Sequence, residues 1–87
     1  MSAMVGVKLR ILLFGRVSDL LGREIEALVP EAGCTVGELR RLIAEQTGSD
    51  ILLQKGARAS IDRQVVQDDA VIRPGAEVAF FSVFSGG

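Results

Sequence analysis

Thr35-Val36-Gly37-Glu38-Leu39-Arg40-Arg41-Leu42-Ile43-Ala44-Glu45-Gln46-Thr47-Gly48 is the stretch on which the fold turns. Thr35 followed three residues later by Glu38 makes a capping box, in which each side chain can accept the other residue's backbone N–H. Val36, Leu39 and Ile43 then share one stripe of a helix that runs to Gly48. Arg40 and Arg41 read as a solvated face of that helix, with the capacity to steer an acidic partner. A single long helix with strand patterns on either side needs a sheet for its apolar stripe to cover.

Working outward, Val7, Leu9, Ile11 and Leu13 alternate with Lys8 and Arg10, the period of two of a half-buried strand. Leu12 and Phe14 break the polar face. A short helical turn through Ser18, Leu20 and Leu21 stops at Gly22, and Ile25, Ala27 and Val29 then alternate with Glu24 and Glu26 up to Pro30. Beyond the helix, Ala57, Ala59 and Ile61 alternate with Arg58 and Ser60, and Val65 and Val66 follow a polar turn. Pro74-Gly75 marks a tight turn, and a last strand covers 77 to about 84. The expected class is α+β, a mixed sheet of four to five strands packed on one main helix. The right-handed crossover rule allows the last strand to lie parallel beside the first at the sheet centre. At 87 residues the chain has room for one modest core, and it reads as one domain, 1–87, with a free tail over about 82–87.

Hydrophobic residues make up 48% of the chain against 24% charged, enough apolar surface to offset the entropy of ordering. Ten basic and eleven acidic residues leave a net charge of −1, without the concentrated positive field that a nucleic acid attracts. The longest apolar runs, 11–14 and 78–81, are far shorter than the roughly 20 residues of a membrane span. Lys8 and Arg10 interrupt the first apolar stretch where a signal peptide needs an unbroken one, so the expected address is cytoplasmic. With no histidine and one cysteine, zinc sites of the usual ligand count, His-based triads and an intrachain disulfide are all out of reach, and no metal site is expected. Cys34 lies just before the helix start, where a helix dipole could lower a thiol pKa, although a lone cysteine more often serves as a small buried hydrophobe.

The chemistry-bearing feature is Ser85-Gly86-Gly87 after an apolar strand. Without a Cβ, a Gly-Gly segment can thread a narrow channel and bring its backbone close to a partner's catalytic groups. The Gly87 carboxylate would then be the cargo site. A carboxylate is a poor electrophile, but adenylation by ATP turns it into a mixed anhydride that a persulfide sulfur can displace, giving a thiocarboxylate. Two closing glycines can also arise by coincidence or as a scar.

The element order resembles the β-grasp fold of ubiquitin-like proteins. Pro74-Gly75-Ala76-Glu77-Val78-Ala79-Phe80-Phe81 leading into Ser85-Gly86-Gly87 resembles the C-terminal signature of the small, sulfur-carrying subunit of molybdopterin synthase. Leu13-Phe14-Gly15-Arg16-Val17, Leu20-Leu21-Gly22 and Thr35-Val36-Gly37-Glu38-Leu39 resemble the same family, so the similarity runs from about residue 7 to the end. One departure is clear: the family commonly has two prolines after the paired phenylalanines, where this chain has Ser82 and Val83.

The resemblance implies a cycle. An ATP-dependent activating enzyme, using ATP and magnesium, adenylates Gly87, and a sulfur relay makes the thiocarboxylate. The carrier, which itself binds no cofactor and is not catalytic alone, then docks on the large catalytic subunit in a heterotetramer. There Gly86 and Gly87 enter the active site and sulfur passes to a cyclic pterin precursor, in the synthesis of the molybdenum cofactor. Docking would call on Leu12, Phe14, Phe81, Phe84 and Ser85, since aromatic anchors are enriched at interface hot spots, while ordinary core packing is the competing reading for Leu12, Phe81 and Phe84. Three alternatives stand beside it: the thiazole-synthesis sulfur carrier, whose chain is typically shorter; a protein modifier that forms isopeptide bonds through Gly87; and an interaction domain in which Gly-Gly is incidental.

Overall fold

Alternation along the first strand separates the two faces of the sheet. In β1 (Gly6–Phe14) Leu9, Ile11 and Leu13 are buried while Lys8 and Arg10 are exposed. The structure, a computed structural model, describes residues 6–82. After β1 the chain turns at Gly15 into α1 (Arg16–Leu21) and returns as β2 (Glu24–Pro30), antiparallel to β1 with Ile11 opposite Ile25 and Leu9 opposite Ala27. β3 (Cys34–Thr35) leads straight into α2 (Val36–Thr47), which is followed by a 3₁₀ turn (Ile51–Leu53), β4 (Ala57–Ile61), β5 (Gln64–Val66), β6 (Val71–Ile72) and β7 (Val78–Ser82).

The main sheet has five strands in the order β2-β1-β7-β4-β5. β7 lies parallel to β1, with Leu13 opposite Phe80, and antiparallel to β4, with Ala59 opposite Phe80. First and last strands therefore sit together at the centre, as the crossover rule anticipates, and the arrangement is the β-grasp. Val36, Leu39 and Ile43 of α2 join Ile11, Leu13, Val17, Val78 and Phe80 in one buried core. Fully burying side chains of this kind stabilises by about 1.5–3 kcal/mol each before the ordering entropy is subtracted. The capping box is formed: Glu38 N donates to Thr35 Oγ1 at 3.1 Å and Thr35 N donates to Glu38 Oε1 at 2.8 Å. Gly48 closes the helix in the left-handed region, at φ 77°, which glycine adopts without penalty.

Three features depart from the sequence reading. β3 and β6 pair as a separate two-stranded ribbon, Cys34 opposite Ile72, that ties the helix entrance to the loop before β7. Residues 51–53 form a helical turn that buries Ile51 and Leu52. Most consequential, Arg40 is not on a solvated face; its residue is only 9% exposed, whereas Arg41 is exposed. Arg40 Nη1 donates to the carbonyls of Leu52 and Ala57 at 2.6 and 2.8 Å, Nε donates to Asp68 Oδ1 at 2.9 Å, and the guanidinium lies 5.3 Å from the Phe80 ring centroid. A planar fork of donors can hold all of these at once, which a lysine cannot. The last strand is described as far as Ser82; the expected extension to about residue 84 lies outside the described residues.

Candidate functional site

Because β1 and β7 run parallel and in register, the side chains that the helix does not use come together on the opposite face of the sheet. Phe14 pairs with Phe81 and Leu12 with Ala79 across β1 and β7, and Arg58 of β4 pairs with Phe81 on its other side. Phe14 is 54% exposed, and Leu12 and Phe81 are half-buried. The result is an apolar face made by Leu12, Phe14, Ala79 and Phe81, with Arg58 beside it and the Arg10–Glu24 ion pair, at 3.5 Å, on the flank. A groove of about 410 Å³ runs along its margin between Phe14, Ser18, Arg23 and Glu24. Exposed phenylalanine at the end of a central strand is apolar surface left in water, the composition of an interface anchor.

The face ends where β7 ends. Ser82 is the last described residue, so the chain continues to residues 83–87 from the edge of this patch. Of the residues singled out from the sequence, Leu12, Phe14 and Phe81 share this surface; Phe84, Ser85, Gly86 and Gly87 lie outside the described residues. Sequence reasoning passed over Ser82, noted only as standing where the family has proline. Its hydroxyl accepts a hydrogen bond from the Arg16 backbone N–H at 2.7 Å, joining the root of the tail to the turn after β1. The signal for it was available only as that missing proline, because the contact spans 66 positions of sequence.

Cys34 is buried among the core residues, 6% exposed. Burial pushes its thiol above the ordinary value of 9.0, and the Glu38 carboxylate adds to the shift. The side chain is thus a small hydrophobe rather than an activated nucleophile. Two outcomes follow. A thiol reagent at pH 8 should label native protein at least about tenfold more slowly than unfolded protein, as expected when the reactive thiolate is disfavoured and screened from solvent. Since the folded form holds its proton to higher pH than the unfolded form, this contribution to stability is complete below pH 9.0 and is lost as pH rises past it, which alkaline unfolding curves with and without Cys34→Ala will show. Among the described residues no three metal-ligating side chains converge, and no helix is long and apolar enough to cross a membrane.

Comparison with solved structures supports the fold. SAMP1 from Haloferax volcanii superposes with a TM-score of 0.73 at 19% identity, covering 93% of this chain and 100% of that one. The C-terminal ubiquitin-like domain of mouse tubulin-specific chaperone e superposes with a TM-score of 0.56 at 11% identity, covering 100% of this chain and 96% of that one. No curated protein sequence matches the chain. At such identities the two structures speak for the ubiquitin-like fold and not for a shared activity. The ThiS family matches residues 11–87, a span that takes in β1 from Ile11, both helices, β7 and the closing glycines, and sulfur carriers of this family work with partner enzymes. By that match the chain belongs to the ThiS family of ubiquitin-like sulfur carriers.

Proposed function

We propose that this chain is the sulfur-donating subunit of a molybdopterin synthase, with the Gly87 carboxylate as the site of chemistry. The observation that carries the reading is an exposed apolar face, Leu12, Phe14 and Phe81, lying at the root of a segment that ends Ser85-Gly86-Gly87. A carrier needs both parts: a surface that docks on partners, and a slender end that enters their active sites.

In this reading a Gly87 carboxylate oxygen attacks the α-phosphorus of ATP on the activating enzyme, and magnesium pyrophosphate leaves. A persulfide sulfur of the relay then attacks the acyl carbon and expels AMP; a relay thiol cleaves the resulting S–S bond, leaving the thiocarboxylate on Gly87. ATP and magnesium belong to that partner. The charged carrier docks on the large catalytic subunit, in a heterotetramer, and its sulfur attacks the cyclic pterin precursor. Two such donations build the dithiolene. Acid and base groups come from the partner, consistent with a chain that has no histidine. Phe84 and Ser85 would extend the docking surface along the tail. The cycle takes place in the cytoplasm.

Replacing the exposed aromatic of this face tests docking without touching the core. Phe14→Glu should leave the fold intact and raise the KM for the carrier on its activating enzyme by about tenfold or more, the cost of a hot-spot side chain. An unchanged KM would remove this face from the binding surface. The pathway is tested by presenting thiocarboxylated protein to a molybdopterin synthase large subunit with the cyclic pterin precursor. Dithiolene product is expected. Absence of product, with sulfur instead passed to a thiazole synthase, would assign the chain to thiazole synthesis.

A further inference from the structure

The first turn of α1 begins without a cap of its own. Gly15, the residue before the helix, has no side chain with which to accept the free amides that every helix start presents. The acceptor comes from the far end of the chain: Ser82 Oγ receives the Arg16 N–H at 2.7 Å. Within the loop, Gly15 O receives both Ser18 N, at 3.0 Å, and Ser18 Oγ, at 2.7 Å, so the turn itself is fixed from two sides.

Gly15 is bound to this geometry twice over. Its φ of 72° and ψ of −146° fall in a region open essentially to glycine alone. A Cβ at Gly15 would also collide with the Ser82 hydroxyl. The glycine therefore makes the space into which the serine side chain fits, and the serine completes the turn that the glycine cannot cap.

The position of this contact gives it a consequence beyond stability. β1 ends at Phe14, so β7 has no β1 residue in register beside Ser82; the pairing runs from Ile11 with Val78 to Phe14 with Phe81 and stops. On its other side Ser82 still pairs with Ala57 of β4. The hydroxyl replaces the missing strand neighbour, holding the last described residue between β4 and the β1–α1 turn. Resting on the sulfur-carrier reading above, we propose that Ser82 is a positioning residue: its hydrogen bond to Arg16 fixes the direction in which the chain leaves the sheet toward Gly87. Such a bond restrains the root of the tail without the rigid φ that a proline imposes, and a proline there would have no hydroxyl to offer.

Docking and alignment then separate by residue. Leu12, Phe14 and Phe81 set how tightly the carrier binds its activating enzyme, whereas Ser82 sets how often the bound Gly87 carboxylate meets the nucleotide in a reactive pose. Ser82→Ala should lower kcat for thiocarboxylate formation by about five- to tenfold, the rate equivalent of one hydrogen bond, with KM for the carrier within twofold of wild type. Ser82→Thr, which keeps the hydroxyl on a residue suited to a strand, should restore kcat. The Arg16 amide, followed by NMR hydrogen exchange, should lose protection in Ser82→Ala and keep it in Ser82→Thr, a readout that needs no activating enzyme. A wild-type kcat in Ser82→Ala overturns the inference. So does an equal loss in the alanine and threonine variants, which would assign the effect to packing. If wild-type protein accepts no sulfur at all, the sulfur-carrier reading fails first, and this inference falls with it.

Discussion

Deleting Gly86 and Gly87 should abolish sulfur acceptance while leaving the melting temperature within about 2 °C of the full chain, since two glycines carry no side chain to bury in a core. The expected loss is complete rather than partial. Among the described residues the buried core runs from Leu9 to Phe80, so the deletion removes the reacting group and leaves that core whole. Docking should also survive: Leu12, Phe14 and Phe81 remain, and the truncated protein should inhibit charging of the full chain by occupying the same surface on the activating enzyme. A truncated chain that neither accepts sulfur nor competes would show that the glycines themselves hold the complex together. Retained acceptance would place the acyl group elsewhere.

Arg40 carries the largest expected effect on stability. Truncating it to alanine removes the donors that satisfy the Leu52 and Ala57 carbonyls and strips the guanidinium from the face of Phe80. A buried acceptor left without a partner costs about 1–3 kcal/mol, and a cation on an aromatic face contributes about 0.5–2 kcal/mol. The Asp68 end of the contact adds little, because its carboxylate is 64% exposed and screened by water. A total of at least about 3 kcal/mol follows, which for a domain of this size lowers the melting temperature by roughly 12–24 °C or more. Arg40→Lys should recover less than half of it, because a single ammonium cannot fork to two carbonyls and Asp68 together. A loss below about 1 kcal/mol by denaturant titration would mean that water replaces the guanidinium at both carbonyls.

Arg40 also shows where the sequence ran out. Positions 36, 39, 40 and 43 stand at the spacing of one helix face, so its place in the stripe was open to inspection. Its charge argued the other way, because arginine is almost never buried unless paired, and its partners lie 12, 17 and 28 residues further on. The capping box of Thr35 and Glu38 was legible because both members sit within one turn and the hydrogen bonds are local. The same holds for β1, whose alternation is decided residue by residue. β3 and β6 were not legible, since two residues give no period and their pairing joins Cys34 to Ile72 across the whole helix. The apolar face was half visible. Leu12 and Phe14 broke the pattern of β1 in plain view, but that Phe81 stands beside Phe14 depends on the parallel register of two strands at opposite ends of the chain. Ser82 needed that register too, together with the turn at Gly15, before its hydroxyl had anything to hold.

One measurement bears on the sulfur-carrier reading before any other: the intact mass of the full chain after incubation with a ThiS-type activating enzyme, ATP and a persulfide source. The expected spectrum shows the gain of one sulfur in place of one oxygen, dependent on ATP, with fragmentation assigning it to Gly87. An unchanged mass, from an activating enzyme that charges another carrier of the family in the same experiment, would contradict that reading and leave an interaction domain with an incidental Gly-Gly end.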